Sequence, residues 1–414
     1  MEKQKLIRTM QVFDEYERRF AEARLKRKFN INKTDDEKEE VREKVKEILA
    51  YDEKLLPEIR DMREVSRMEF SGYSVTQLTF STWEGVHSAA SLYMPDAEGP
   101  LPLVFLFCGH GKVGRLSPSY AFMAHRLVKL GFAVIVPDNI GQGDREFMGH
   151  WDSVGPFWCG LTLQGMIVME SVALIRHMRS DKRFDKGRFV ACGNSGGGTL
   201  CLLLTALAPE LAAISASGYP SEFEYIFSKE RKHCSCNLLP GIMKGPEMWE
   251  ILSLFAPKPL LLEQGELDHL IPNEYAQRNA RKVRAVYELA DANDNFDFKT
   301  TGEAHAWKSA DRYIISSFLA KAVGMPMPTE ENDESDEILA SLDASHVTLP
   351  SGALTTDAAA EMLTGIKMPE GTRLSDIFPP KYNTRPLTES EIVPDLGRGD
   401  VMKFLAQMEC ALEK

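Results

Sequence analysis

The residues best suited to chemistry are a serine, an aspartate and a histidine, each placed just beyond a short apolar run. Ser195 stands in Gly193-Asn-Ser-Gly-Gly197, after Phe189-Val-Ala191 and before the apolar stretch from Leu200 to Leu207. A strand that turns into a helix through Gly-x-Ser-x-Gly is a nucleophile elbow. The serine is held in a strained backbone conformation, so its neighbours must be small and its hydroxyl projects from the strand end. A hydroxyl is a weak nucleophile near neutral pH, so it needs a base to take its proton and an acid to orient that base. Asp268 lies in the turn Glu263-Gln-Gly-Glu-Leu-Asp268 after Pro259-Leu-Leu-Leu262, and His305 lies in Gly302-Glu-Ala-His305-Ala-Trp307 after Phe296-Asp-Phe-Lys-Thr300. This order of Ser, Asp and His predicts a triad with Ser195 as nucleophile, His305 as base then acid, and Asp268 as the orienting carboxylate. Glu263 and Glu266 are the substitutes for Asp268.

Acyl transfer also needs donors for the oxygen that becomes negative. The N–H of Gly196, at the mouth of the helix after Ser195, supplies one. The second is expected in Cys108-Gly-His-Gly-Lys112, the loop after Leu103–Phe107, from the backbone N–H of His110 or, failing that, of Gly111. Trp151 and Trp158, which follow the loop Asp138–Arg145, and Trp307, beside His305, are candidate substrate-binding residues. Phe157 joins that aromatic stretch, which either walls a pocket or covers the core. His233-Cys234-Ser-Cys236 has the residue types of a zinc ligand set, but a structural site needs four ligands and the sequence shows no second cluster nearby. Packed thiols are therefore expected, with no metal and no cofactor.

These residues need a scaffold that places strand ends side by side. Short apolar runs alternate with helical stretches from Leu103 to Val323, the pattern of an α/β fold with a mostly parallel central sheet and helices on both faces. Ahead of it, Tyr73–Phe80 and Val86–Tyr93 alternate with period two around a Trp83-Glu-Gly85 turn, which predicts a β-hairpin. Two amphipathic helices precede the hairpin. One carries Leu6, Met10, Phe13, Phe20 and Leu25. The other opens on a capping box at Thr34-Asp-Asp-Glu37 and carries Val41, Val45, Ile48 and Leu49, its stripe continuing through Leu55 and Leu56 to about Pro57. The expected division is an N-terminal helical extension over 1–68, a catalytic domain over 69–324 with an insertion at 217–257 above the site, and an acidic linker and C-terminal tail over 325–414. The apolar stripes of the extension need a buried surface, which is either the body of the same chain, the rim of the site or a subunit boundary, the last giving a homo-oligomer through these helices.

A formal net charge of -12 over 414 residues argues against a nucleic-acid or anionic-membrane partner and suits a small-molecule ester. Met1–Arg8 lacks the apolar core of a signal peptide, and no apolar run approaches the roughly 18 residues of a membrane span. Seven scattered cysteines fit a reducing compartment, so a cytoplasmic location is expected.

With the triad placed, the chain resembles the α/β-hydrolase superfamily, and within it the acetyl xylan esterase-like and dienelactone hydrolase-like bacterial hydrolases. The resemblance covers roughly 70–324. It rests on Asp185–Gly198, on Cys234-Ser-Cys-Asn-Leu-Leu-Pro-Gly241, on Ala256-Pro-Lys-Pro-Leu-Leu-Leu262 with Gly265 and Asp268, and on His305. Cys108 stands where many members carry the His of a His-Gly pair. The resemblance implies a serine-dependent carboxylic-ester hydrolase acting on small or acetylated, carbohydrate-like esters through an acyl-enzyme. A peptidase or amidase would use the same triad but needs a group to hold a peptide terminus, and none stands out. A non-catalytic scaffold would not need the triad.

Overall fold

A nine-stranded mixed sheet runs through the molecule in the order β1-β2-β3-β5-β4-β6-β7-β8-β9. The computed structural model describes Glu17, Arg24 and residues 29–151, 153–228, 234–329 and 334–378. The strands are β1 (Arg60–Phe70), β2 (Tyr73–Ser81), β3 (His87–Pro95), β4 (Leu101–Phe107), β5 (Ala133–Pro137), β6 (Phe184–Asn194), β7 (Ala213–Ser217), β8 (Leu260–Gly265) and β9 (Phe296–Thr301). From β5 through β9 neighbouring strands are parallel, while β1, β2, β3 and β5 pair antiparallel. All residues of β4, β5, β7 and β8 are buried, as parallel strands covered on both faces must be. The expected hairpin is β2–β3, with Ser81 opposite His87. Among the described residues, no helix is long and apolar enough to cross a membrane.

The chain leaves β4 toward β5 on one side and reaches β6 on the other, so the carboxyl ends of β4 and β6 meet at a switch in strand order. Crevices for ligands form at such points. Register fixes the neighbours: Phe107 pairs Gly193, Asn194 pairs Ser217, and Gly265 pairs Thr301. The loops that follow these residues therefore open onto one edge of the sheet.

β1 was not expected from the sequence. Its Arg-Asp-Met-Arg-Glu-Val-Ser-Arg-Met-Glu-Phe run is largely exposed and carries charges along the sheet edge, where they discourage pairing with another chain.

The helix Asp35–Leu49 forms where its capping box predicts. Thr34 Oγ1 accepts from the Glu37 N–H, Glu37 accepts from the Thr34 N–H, and three acidic residues occupy the first turn. It stops at Ala50, which adopts φ 52°, so Leu55 and Leu56 fall beyond it. Val41, Val45, Ile48 and Leu49 are buried on this same chain, against the helices Gly196–Leu207 and Met248–Ser253. The stripe of this helix is thus buried within one chain, the first of the surfaces open to it. Of the first helix, Leu6, Met10, Phe13, Phe20 and Leu25 lie outside the described residues. Glu17 accepts from the N–H groups of Gly241 and Met243, and Arg24 donates to Glu247 and to the Ile242 carbonyl.

Residues 334–378 pack onto the loops after β4 and β5. Arg115 donates to the Ser345 carbonyl at 2.8 Å, Asp144 accepts from His346 and from the Val347 N–H, and Asp357 accepts from the Gly155 N–H at 2.8 Å. The tail's short helices, Asp336–Leu342, Thr356–Thr364 and Leu374–Ile377, carry too few apolar residues to announce themselves in the sequence.

Candidate active site

Ser195 has φ 58° and ψ −116°, a conformation that L-residues adopt only under constraint, and it sits between β6 and the helix Gly196–Leu207. The sequence permits this because the elbow packs without side chains. A Cβ on Gly197 would lie 2.0 Å from the Phe107 carbonyl oxygen, and one on Gly109 would lie 2.8 Å from Ser195 Cβ. Downstream, His305 Nε2 lies 2.8 Å from Ser195 Oγ, and His305 Nδ1 lies 2.6 Å from Asp268 Oδ2.

The proton positions follow from the partners. Asp268 Oδ1 accepts from the N–H groups of Leu270 and Ile271, and Oδ2 accepts from Gln264 Nε2 at 2.9 Å as well as from His305. A carboxylate surrounded by donors is ionised, so His305 carries its proton on Nδ1 and turns a lone pair toward Ser195. Burial alone would raise the Asp268 carboxyl, but His305, Ile271 and Gln264 outweigh it and hold it below the usual carboxylate range. Glu263 and Glu266 do not reach His305. Glu266 accepts from Thr300. Glu263 is buried behind the triad, where desolvation and the adjacent Asp311 carboxyl push it up to about 8.

On the other side of Ser195, Gly196 opens its helix, so its N–H is one of the first four that lack an intrahelical partner. In the loop after β4, the Gly109 N–H donates to Tyr120 Oη at 2.7 Å and the Gly111 N–H to Gln142 Oε1 at 3.2 Å. The N–H groups of both flanking glycines are thus engaged elsewhere. Asn139 Nδ2 donates to the Cys108 carbonyl at 2.9 Å and steadies the loop from below.

The His110 ring meets residues that the sequence keeps far apart. Its Nε2 lies 2.9 Å from His150 Nε2, 2.9 Å from Cys234 Sγ and 3.2 Å from Cys236 Sγ. Sequence spacing left Cys234 and Cys236 with only His233 beside them. His233 lies outside the described residues, and the fold brings two other histidines instead. The fold thus adds two histidines to this Cys-x-Cys that the spacing in the sequence did not show. His150 gave no local signal, since a histidine before a tryptophan in a loop has no periodicity or motif. Its loop is fixed by buried ion pairs, Arg115 with Asp138 and Asp144, and Arg145 with both oxygens of Glu170.

The three tryptophans separate. Trp151 is 38% exposed with its ring 5.3 Å from that of His110, so it stands at the rim of the site. Trp158 instead donates to the Lys367 carbonyl and packs against the core, and Trp307 is only 2% exposed, edge-on to Tyr120. Phe157 is likewise core. Trp158, Phe157 and Trp307 thus pack mainly against the fold, Trp307 also lining the crevice beside His305 and Asp268.

The profile of the acetyl xylan esterase family AXE1 matches residues 33–234. The Bacillus subtilis protein YtaP is 23% identical over 290 residues, which cover 65% of this chain and 96% of YtaP. Among solved structures, the methylesterase BT1017 superposes with a TM-score of 0.60 at 20% identity, covering 78% of this chain and 73% of its own. A glucuronoyl esterase from Solibacter usitatus gives a TM-score of 0.54 at 13% identity, covering 70% and 92%. At such identities the superpositions establish a shared fold.

Proposed function

We propose that this chain is an acetyl xylan esterase-like carboxylic-ester hydrolase, a reading supported by the family match over residues 33–234, and that Ser195, His305 and Asp268 carry out the hydrolysis on small acetyl esters of carbohydrates. The observation that carries this reading is the unbroken hydrogen-bond chain Ser195–His305–Asp268, at 2.8 and 2.6 Å. Ser195 Oγ attacks the ester carbonyl as its proton passes to His305 Nε2, and Asp268 stabilises the resulting imidazolium. The carbonyl oxygen, now negative, lies between the N–H groups of His110 and Gly196. His305 returns the proton to the departing sugar alkoxide, leaving acetyl on Ser195. Water then repeats the sequence, with His305 as base, to release acetate and restore the serine.

Trp151, at the rim beside His110, offers the exposed aromatic surface on which a sugar ring can rest. The family match supports acetyl as the acyl group. The test is an ester panel that sets acetylated sugars against methyl esters of uronic acids. Turnover of the acetylated sugars, absent in Ser195→Ala, is expected, and hydrolysis confined to uronate esters would overturn the acetyl reading. We place the protein in the cytoplasm. The six described cysteines, all buried free thiols, support that reading.

A further inference from the structure

The cluster beside the elbow does something the triad does not need. Four side chains, His110, His150, Cys234 and Cys236, bring one ligand atom each into a space where no two of those atoms are more than 4.8 Å apart. They come from three segments: the loop after β4, the loop after β5, and the 3-10 turn Ser235–Asn237 with its flank. Cys234 and Cys236 are buried free thiols, and His150 is buried.

Hydrogen bonding alone does not account for this arrangement. His150 Nδ1 lies 2.6 Å from the Ile140 carbonyl, which can only accept, so the proton of a neutral His150 is on Nδ1 and its Nε2 is a bare lone pair. That lone pair faces His110 Nε2, which itself faces both sulfurs, and the two sulfurs are 2.7 Å apart. His110 Nε2 holds at most one proton for three neighbours. Each thiol adds one S–H donor, yet in either tautomer of His110 at least one of these close contacts joins two acceptors, and a cation at their centre removes that clash.

We propose that His110, His150, Cys234 and Cys236 bind one zinc ion. Two imidazoles and two thiolates are a tetrahedral zinc set, and a divalent ion with two thiolates is neutral, which suits a buried place. Binding forms four metal–ligand bonds and releases the two thiol protons. Zn–N near 2.0 Å and Zn–S near 2.3 Å would set ligand atoms roughly 3.3 to 3.8 Å apart, so the ion opens the short pairs and draws in the long one. The surroundings fit: the Ile140 carbonyl orients the His150 ring, and Asn237 Nδ2 points at Cys234 Sγ from 3.6 Å. Four protein ligands leave no open position, so the ion is structural and takes no part in attacking the ester. It ties the oxyanion loop and the β5 loop to the segment that begins at Cys234. The ring it holds lies directly over the elbow, since a Cβ on Gly196 would be 2.9 Å from His110 Cε1.

The test is metal content, which is independent of turnover. Full-length protein, produced with zinc in the medium and purified without chelator, should carry one equivalent by mass spectrometry, and so should Ser195→Ala. Blocking the thiols with a mercurial should release that zinc to a chromogenic chelator. Cobalt(II) in its place should show thiolate charge-transfer and tetrahedral ligand-field bands. Cys234→Ser/Cys236→Ser and His150→Gln should lose the metal. Should these variants fail to fold, the wild-type zinc, thiol and cobalt measurements still decide. Wild-type protein that holds less than about a tenth of an equivalent and takes up none on dialysis against zinc overturns the site. So does zinc that persists in the folded double-serine variant.

Discussion

The two flanks of Ser195 are built on different principles. On the Asp268–His305 side every proton can be assigned, because each acceptor faces donors: Asp268 takes four hydrogen bonds, and His305 relays one of them to the serine. On the His110 side, one ring nitrogen with at most one proton faces three neighbours, and a bound cation would satisfy them together. In the proposed reaction one flank moves a proton and must be neither locked nor metallated. The other presents backbone donors to a developing charge and gains from being fixed. A hydrolase can therefore keep its titrating chemistry and its rigid clamp a few ångströms apart, provided that different atoms of the site do each job.

Variants that strike one flank should leave the other unchanged. The largest effect is expected from Ser195→Ala, which removes the nucleophile. kcat should fall by on the order of 10^6, while zinc content and thermal unfolding stay at wild-type values. Folded Ser195→Ala that keeps a tenth of wild-type turnover would remove this serine from the role. Next comes Asp268→Asn, whose amide donates where a carboxylate accepts and so selects the wrong His305 tautomer. A loss in kcat on the order of 10^4 with KM little changed is expected, and a loss under tenfold would mean that another acid orients the ring.

A third variant probes the buried acid behind the proton-moving flank. Glu263 is held up to about 8 in the folded protein against an ordinary 4.5, first by desolvation and then by Asp311. The folded state thus keeps a proton that the unfolded chain releases. The favourable contribution is complete below about pH 4.5 and is lost as pH rises through about 8, with a slope of at most about 1.4 kcal/mol per pH unit. In Glu263→Gln that decline should flatten. Urea unfolding across this pH range with an unaltered slope would show that Glu263 ionises freely. The smallest effect belongs to Thr34→Ala, outside both flanks, at the cap of the helix that backs the Met248–Ser253 segment. Loss of the capping box should cost about 1 kcal/mol in urea unfolding with turnover unaffected. A reduced kcat would couple that helix to the site.

The triad was legible because its signals are local. Glycines around Ser195, an apolar strand before Asp268 and another before His305 each reflect a constraint acting within a few residues, and the parallel alternation says that strand ends will meet. The capping box at Thr34 was legible for the same reason. β1 was not, because an edge strand exposes both its faces and carries no apolar alternation to read. The burial of Trp158 and Trp307 was not legible, because a tryptophan near a motif looks the same in sequence whether its ring is exposed or packed.

The docking of residues 334–378 rests on burial of Ile338, Ala359, Ala360 and Leu374 and on hydrogen bonds to Arg115, Asp144 and Gly155, none of them close in the chain. His150 and the two cysteines are the sharpest case. Metal-ligand spacing is readable only when the ligands share one hairpin or helix, and here the sheet order alone brings the β4 loop, the β5 loop and the segment at Cys234 to one point. The sequence by itself determined which residues could move a proton, since that depends on side-chain type and local backbone. Only the tertiary structure decided which lone pairs converge, since that depends on where three distant segments end in space.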